Sequence, residues 1–227
     1  MTGEDYALRF DGIRRLYGQD AFEIFPRLHI AVVGVGGVGS WAVEALARTG
    51  VGQLTFIDPD DIELSNMNRQ LPALDETIER SKVAVLAERV RQINPDCKIN
   101  AIDDLLSINN MQKYLGCDFD YVIDAIDSVR IKSEMIYYCR RNKIPIITTG
   151  GAGGVTDPTR IVVEDISRVY NDPLIARVRA KLRNEYGFTR NLKKKFEVDC
   201  VFSSEQPVYP KEDGTVCQKK PGVRGVS

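Results

Sequence analysis

The segment GVGGVGS, Gly34 to Ser40, constrains this chain more than any other stretch of its 227 residues. It follows an apolar run, LHIAVVGVG at 28–36, and opens an apolar helical pattern, VGSWAVEALARTG, that closes on Gly50. A second apolar strand follows at once, at 53–58. Strand, glycine turn, helix and strand in that order make a βαβ unit, with the two strands expected to lie parallel. Gly34, Gly36 and Gly39 fit the spacing G-x-G-x-x-G. The first two glycines allow a tight turn and let a phosphate approach the backbone. The helix that begins there offers unpaired N–H groups and the positive end of its dipole. Asp58 closes the next strand about 20 residues on, where a carboxylate meets ribose hydroxyls. A nucleotide site is therefore expected at this turn.

The alternation continues. KVAVLAERVRQI at 82–93 reads as a helix stopped by Asn94-Pro95, and 97–102 as a strand. YVIDAI at 121–126 reads as a buried strand, 129–141 as a helix and 144–149 as a strand. After GGAGG (150–154) the style changes. RIVVEDIS suggests an edge or antiparallel strand, 172–186 an amphipathic helix, TRNLKKK a polar basic loop, and VDCVFSSEQPVYP an extended segment. The expected fold is α/β: a Rossmann-like, doubly wound, mostly parallel sheet with a C-terminal antiparallel extension. The expected division is a helical segment at 1–27, broken at Gly12 and Gly18, a nucleotide-binding core at 28–155, and an extension at 156–227.

Formal net charge is only −1, yet it is unevenly spread. Residues 171–227 hold twelve Lys and Arg against seven Asp and Glu, while the remainder holds nineteen against twenty-five. The basic C-terminal quarter can meet phosphates, as an RNA backbone would present them, or be simply a solvated surface. The five cysteines are odd in number and form no CxxC pair, which argues against a disulfide framework and a zinc ribbon. The N-terminus has no signal-peptide pattern and no apolar run reaches about 18 residues. A reducing, cytoplasmic setting fits best. His29, the only histidine, precedes a buried strand and is not expected to act as a base.

Which nucleotide is bound turns on charges further along. SNMNRQ, Ser65 to Gln70, brings Arg69, and Lys82 opens the following helix. A triphosphate and a departing pyrophosphate need such cations, although each read alone also suits a surface. DAIDS places Asp124 and Asp127 at the C-terminal end of a strand, where ligands sit in open α/β sheets. A carboxylate there can hold Mg²⁺, and Asp127 is favoured for it, although Asp127 or Ser128 can equally cap the next helix.

GVGGVGS, FIDPDDIE, SNMNRQ, Lys82 and DAIDS, in that order, resemble the ubiquitin-activating-type adenylating superfamily. RFDGIRRLYG, MNRQLPAL, RQINPDC, YVIDAIDSVR, YCRRNKIP, TTGGAGG and VDCVFS resemble its branch of dehydratases that act on threonylcarbamoyladenosine in tRNA. The resemblance implies adenylation of the substrate carboxylate by ATP with Mg²⁺, then ring closure within the modified base and release of AMP. It assigns Gly34, Gly36, Gly37 and Gly39, with Asp58, Asp60 and Asn66, to the nucleotide, Arg69 and Lys82 to the phosphates, and Asp127 to magnesium. It also implies a homodimer in which an N-terminal arginine reaches the partner's site. Arg15 is the first candidate, with Arg9 and Arg14 as alternatives. The basic loop with Arg190, Lys193, Lys194 and Lys195 would then guide the tRNA; no DNA partner is expected. A cysteine desulfurase or sulfur-acceptor system is a further partner implied by the resemblance alone. The alternative function is adenylation of a ubiquitin-like sulfur-carrier protein, with Cys200 or Cys217 as its cysteine. A non-enzymatic nucleotide-binding module is a third possibility. The family continues into an apolar C-terminal stretch that the sequence does not contain, so its membrane association is not carried over.

Overall fold

The structure, a computed structural model, describes residues 3–116 and 118–218. Two compact units divide the chain, Met1–Ile147 and Thr148–Ser227.

In the first unit, helices α1 (Gly3–Tyr17) and α2 (Gln19–Ile24) precede β1 (His29–Val33), α3 (Gly39–Thr49) and β2 (Gln53–Ile57). Then come α4 (Lys82–Ile93), β3 (Lys98–Ile102), α5 (Met111–Leu115), β4 (Tyr121–Asp124), α6 (Val129–Arg141) and the start of β5 (Ile146–Thr149). The strand order is β3-β2-β1-β4-β5. β1 is parallel to both β2 and β4, and β2 is parallel to β3. This is the doubly wound arrangement predicted. The winding reverses between β1 and β4, so the switch point opens at their C-terminal ends. In register there, Val33 lies beside Ile57 on one side and Asp124 on the other. That register brings the glycine turn, Asp58 and the DAIDS turn to one edge.

The core forms because β1 and β2 are apolar on both faces, as strands covered on both sides must be. Val32, Leu54 and Phe56 pack with Val43 and Ala47 of α3 and Leu86 and Val90 of α4, all at 1% exposure or less. β1 ends earlier than its apolar run suggests, because Gly34 leaves extended geometry at φ 82° and stops the strand at Val33. Gly12 does not break α1. The bend falls at Phe10 (φ −116°, ψ 15°), whose ring is buried and packs against Tyr6 at 4.7 Å between centroids. The Tyr6 hydroxyl donates to the Gly50 carbonyl at 2.7 Å. This docking offsets the roughly 1 kcal/mol that a mid-helix glycine costs. Gly18, at φ 85°, does separate α1 from α2.

The second unit holds β6 (Ile161–Asp165), α7 (Pro173–Glu185), β7 (Asp199–Ser203) and a short ladder of β8 (Tyr209–Pro210) with β9 (Val216–Cys217). β6 and β7 are antiparallel, the predicted extension. Asp172 caps α7 by accepting from the Ile175 N–H, and also accepts from the Gly151 N–H at 2.8 Å. The GGAGG segment is thereby tied to the C-terminal unit. The predicted basic loop is an exposed turn, with Arg190 donating to Asn184 Oδ1 and the Lys193 N–H to Asn191 Oδ1. No helix among the described residues is long and apolar enough to cross a membrane.

Candidate nucleotide site

The glycine turn is built by close approach. A β-carbon on Gly39 would lie 1.8 Å from the Gly34 carbonyl oxygen, and one on Gly34 would lie 2.8 Å from Ile126 Cγ2. These two positions admit only glycine without movement of backbone or turn. Gly36 differs, since its nearest foreign atom would be Gln70 Nε2 at 3.7 Å. The space above Gly36 is therefore open on the side where a phosphate would meet backbone N–H groups. Gly37 is covered by the Arg69 stem, whose Cγ would be 3.3 Å from an added β-carbon.

Asp58 is buried. Its Oδ2 accepts from the Val35 N–H at 2.7 Å and its Oδ1 from the Asp60 N–H at 3.0 Å. It thus braces the glycine loop and keeps lone pairs for ribose hydroxyls. Lys82, only 4% exposed, sits at the first residue of α4. Its ammonium lies 2.8 Å from Asp60 Oδ2 and 4.0 Å from Asp58 Oδ1. Two carboxylates hold this cation in place before any phosphate arrives. The Arg69 guanidinium is exposed and donates to the Ser65 carbonyl and Asn68 Oδ1, while its own carbonyl accepts from Trp41 Nε1. Asn66 is buried and holds the turn by accepting from the Glu63 N–H and donating to Ser65 Oγ.

Asp124 and Asp127 part company. Asp124 is fully buried and paired with Lys132 at 2.8 Å. Asp127 is exposed on the turn between β4 and α6, as a metal-binding carboxylate requires. Within one chain the N-terminal arginines are engaged elsewhere. Arg15 pairs with Asp11 at 2.7 Å, Arg14 also pairs with Asp11, and Arg9 donates to the Ile93 carbonyl at 3.2 Å.

Gln70 carries no charge that would mark it in the sequence. It is 7% exposed, and its Oε1 is buried with no hydrogen-bond partner. An orphaned buried amide oxygen costs about 1–3 kcal/mol, and this one belongs to the side chain next to Gly36. The amide, the open glycine turn and the two cations form a cradle whose donors suit a polyphosphate, and Asp127 is a hard oxygen donor of the kind that would suit Mg²⁺.

The ThiF family model matches residues 12–193. The chain belongs to the ThiF family. It is 53% identical over 225 residues to the tRNA threonylcarbamoyladenosine dehydratase of Escherichia coli (strain K12), covering 99% of this chain and 84% of that relative. The solved structure of E. coli tRNA N6-threonylcarbamoyladenosine dehydratase with ATP matches at a TM-score of 0.90 and 51% identity, covering 92% of this chain and 86% of that one. The same E. coli protein has also been solved with AMP. Against the molybdopterin-synthase adenylyltransferase of Haemophilus influenzae identity falls to 31%, over 71% of this chain and 69% of the relative. Within the ThiF family the chain thus stands with the dehydratases, the branch that its motifs indicate.

Proposed function

We propose that the protein binds ATP with Mg²⁺ and adenylates the carboxylate of threonylcarbamoyladenosine in tRNA, which then cyclises with loss of water. The observation that carries this is the cradle itself: Lys82, Arg69 and Gln70 gathered around an open glycine turn. Likeness to relatives named for this reaction, one of them solved with ATP, supports the substrate.

The glycine turn takes phosphate oxygens on its N–H groups, Asp58 takes the ribose, and Asp127 takes Mg²⁺. Bound there, the ion supplies charge neutralisation for the phosphates. A carboxylate oxygen of the substrate attacks the α-phosphorus, the bond to the β-phosphate oxygen breaks, and pyrophosphate leaves with the electron pair. Two anions must meet in this step, so Arg69 and Lys82 lower its barrier by neutralising charge. The activated acyl carbon is then attacked from within the same side chain. AMP leaves carrying the former carboxylate oxygen, and the nucleophile loses its proton, so the net change is removal of water. No enzyme nucleophile is needed, which fits the burial of Cys139 and Cys200. Gln70 orients the phosphates by donating from Nε2, the atom that faces Gly36, and Arg15 of a second copy completes the charge around them. The exposed turn with Arg190, Lys193, Lys194 and Lys195 guides the RNA backbone.

Pyrophosphate release is expected only with the modified tRNA and to fall at least about 100-fold in Lys82→Met. Release driven instead by a ubiquitin-like carrier protein would overturn the substrate and favour the sulfur-carrier reaction.

A further inference from the structure

Lys132 and Asp124 are both at 0% exposure, and Lys132 Nζ lies 2.8 Å from Asp124 Oδ2. Removing two charges from water is costly, and well-packed apolar residues of similar volume are often as stabilising or more so. Stability alone therefore does not account for this pair. Its position does. Asp124 is the last residue of β4, in register with Val33, the last residue of β1. Lys132 lies in the first turn of α6, with its N–H donating to the Ser128 carbonyl at 2.9 Å. The ion pair ties together the two ends of the turn 125–128, and that turn carries Asp127.

The same turn is held on its other sides. The Ala125 N–H donates to the Val33 carbonyl at 2.8 Å, and the Ile126 N–H to Asp124 Oδ1 at 3.3 Å. Gly34 abuts the turn so closely that an added β-carbon would fall 3.0 Å from the Ala125 carbonyl oxygen. The turn is thus fixed to the glycine loop on one side and to α6 on the other, with the buried pair as its internal cross-link.

We propose that Lys132 is a positioning residue for the metal–nucleotide complex. Its ammonium holds Asp124, and through Asp124 it fixes the turn that presents Asp127. It also balances the Asp124 charge, so that the carboxylate presented to the ion is that of Asp127. The proposal rests on the reading that Asp127 meets Mg²⁺.

The test measures ATP affinity by calorimetry with and without Mg²⁺, alongside thermal melting. The proteins are the full chain, Lys132→Met, the apolar pair Asp124→Leu/Lys132→Met, and Asp127→Ala. The gain in ATP affinity on adding Mg²⁺ should fall about tenfold in both Lys132 variants, as loss of a ligand's supporting partner does. Metal-free affinity should stay within about twofold. The apolar pair removes the buried charges together and so keeps the test open where the single variant does not fold. An apolar pair that melts like the parent and keeps the full Mg²⁺ gain would overturn the proposal, reducing the ion pair to packing. A parent protein whose ATP affinity is indifferent both to Mg²⁺ and to Asp127→Ala would overturn the metal reading and the proposal with it.

Discussion

At the scale of single residues, Gln70 carries the sharpest consequence. Its unpartnered Oε1 is a cost that leucine, of similar size, removes, so the replacement should not destabilise the nucleotide-free protein. ATP affinity should fall about tenfold, the worth of one hydrogen bond from Nε2, the atom that faces Gly36, to a charged phosphate. Calorimetry and thermal melting separate the two effects, and a leucine variant with unchanged ATP affinity would remove Gln70 from the site. The cysteines make a second case. Burial pushes the Cys97 thiol up to about 11, and burial with the nearby Asp124 charge pushes Cys139 up to about 12. The thiolate is the reactive form, so both should resist alkylation at neutral pH in the folded protein, as read by mass spectrometry. Rapid labelling would contradict their burial. Arg69, Lys82 and Asp127 were legible in the sequence as candidates, because two cations and a carboxylate near a glycine turn suit a phosphate and its metal. Gln70 was not, because an uncharged side chain shows its place beside the glycine turn only once the chain is folded. Nor was the pairing of Lys132 with Asp124, because a lysine on a helix gives no local sign that it is buried against a carboxylate.

Elements are governed here by close approach and by buried carboxylates. The helix over 82–93 and that over 129–141 match their predicted bounds, because apolar spacing and the stop at Asn94-Pro95 are local signals. The bend of α1 at Phe10 was not legible, since it depends on Tyr6 finding the Gly50 carbonyl 44 residues away. Gly39→Ala should cost at least about 2 kcal/mol, because the new carbon meets a backbone oxygen that cannot easily withdraw. Gly36→Ala should melt like the parent yet bind ATP more weakly, because the added methyl occupies only the open cradle. Asp165, at 3% exposure, accepts from the N–H groups of Ser167, Phe196, Glu197 and Val198. Burial raises its pKa, but the hydrogen bonds from Ser167, Phe196 and Val198 outweigh burial and hold it below the usual carboxylate range. A depressed folded value means stability fully present above the unfolded pKa, about 3.9, and lost as pH falls through the folded value. Asp165→Asn should therefore cost about 3 kcal/mol at neutral pH and progressively less under acid, measured by denaturant melts across pH. A deficit that did not shrink with acid would contradict this role.

For the whole molecule, the uneven charge and the engaged N-terminal arginines matter most. Replacing Lys193, Lys194 and Lys195 with alanine should weaken tRNA binding and flatten its salt dependence, with ATP binding intact. Loss of ATP binding instead would place the loop elsewhere in the mechanism. If Arg15 acts across a homodimer, mixing inactive Arg15→Ala with inactive Asp127→Ala should restore part of the activity, because one site of the mixed dimer is then whole. Absence of any rescue from a verified mixed dimer would exclude that role. The parallel core could be read from sequence because each βαβ step repeats one local pattern. A contribution from a second chain could not, because it would leave no local mark beyond an arginine. One measurement tests the reaction most directly: pyrophosphate release from ATP–Mg²⁺ with and without threonylcarbamoyl-modified tRNA, with Asp127→Ala as control. Release that requires the modified tRNA and disappears in the control is the predicted result. An intact protein that binds ATP and releases no pyrophosphate with that tRNA would contradict it.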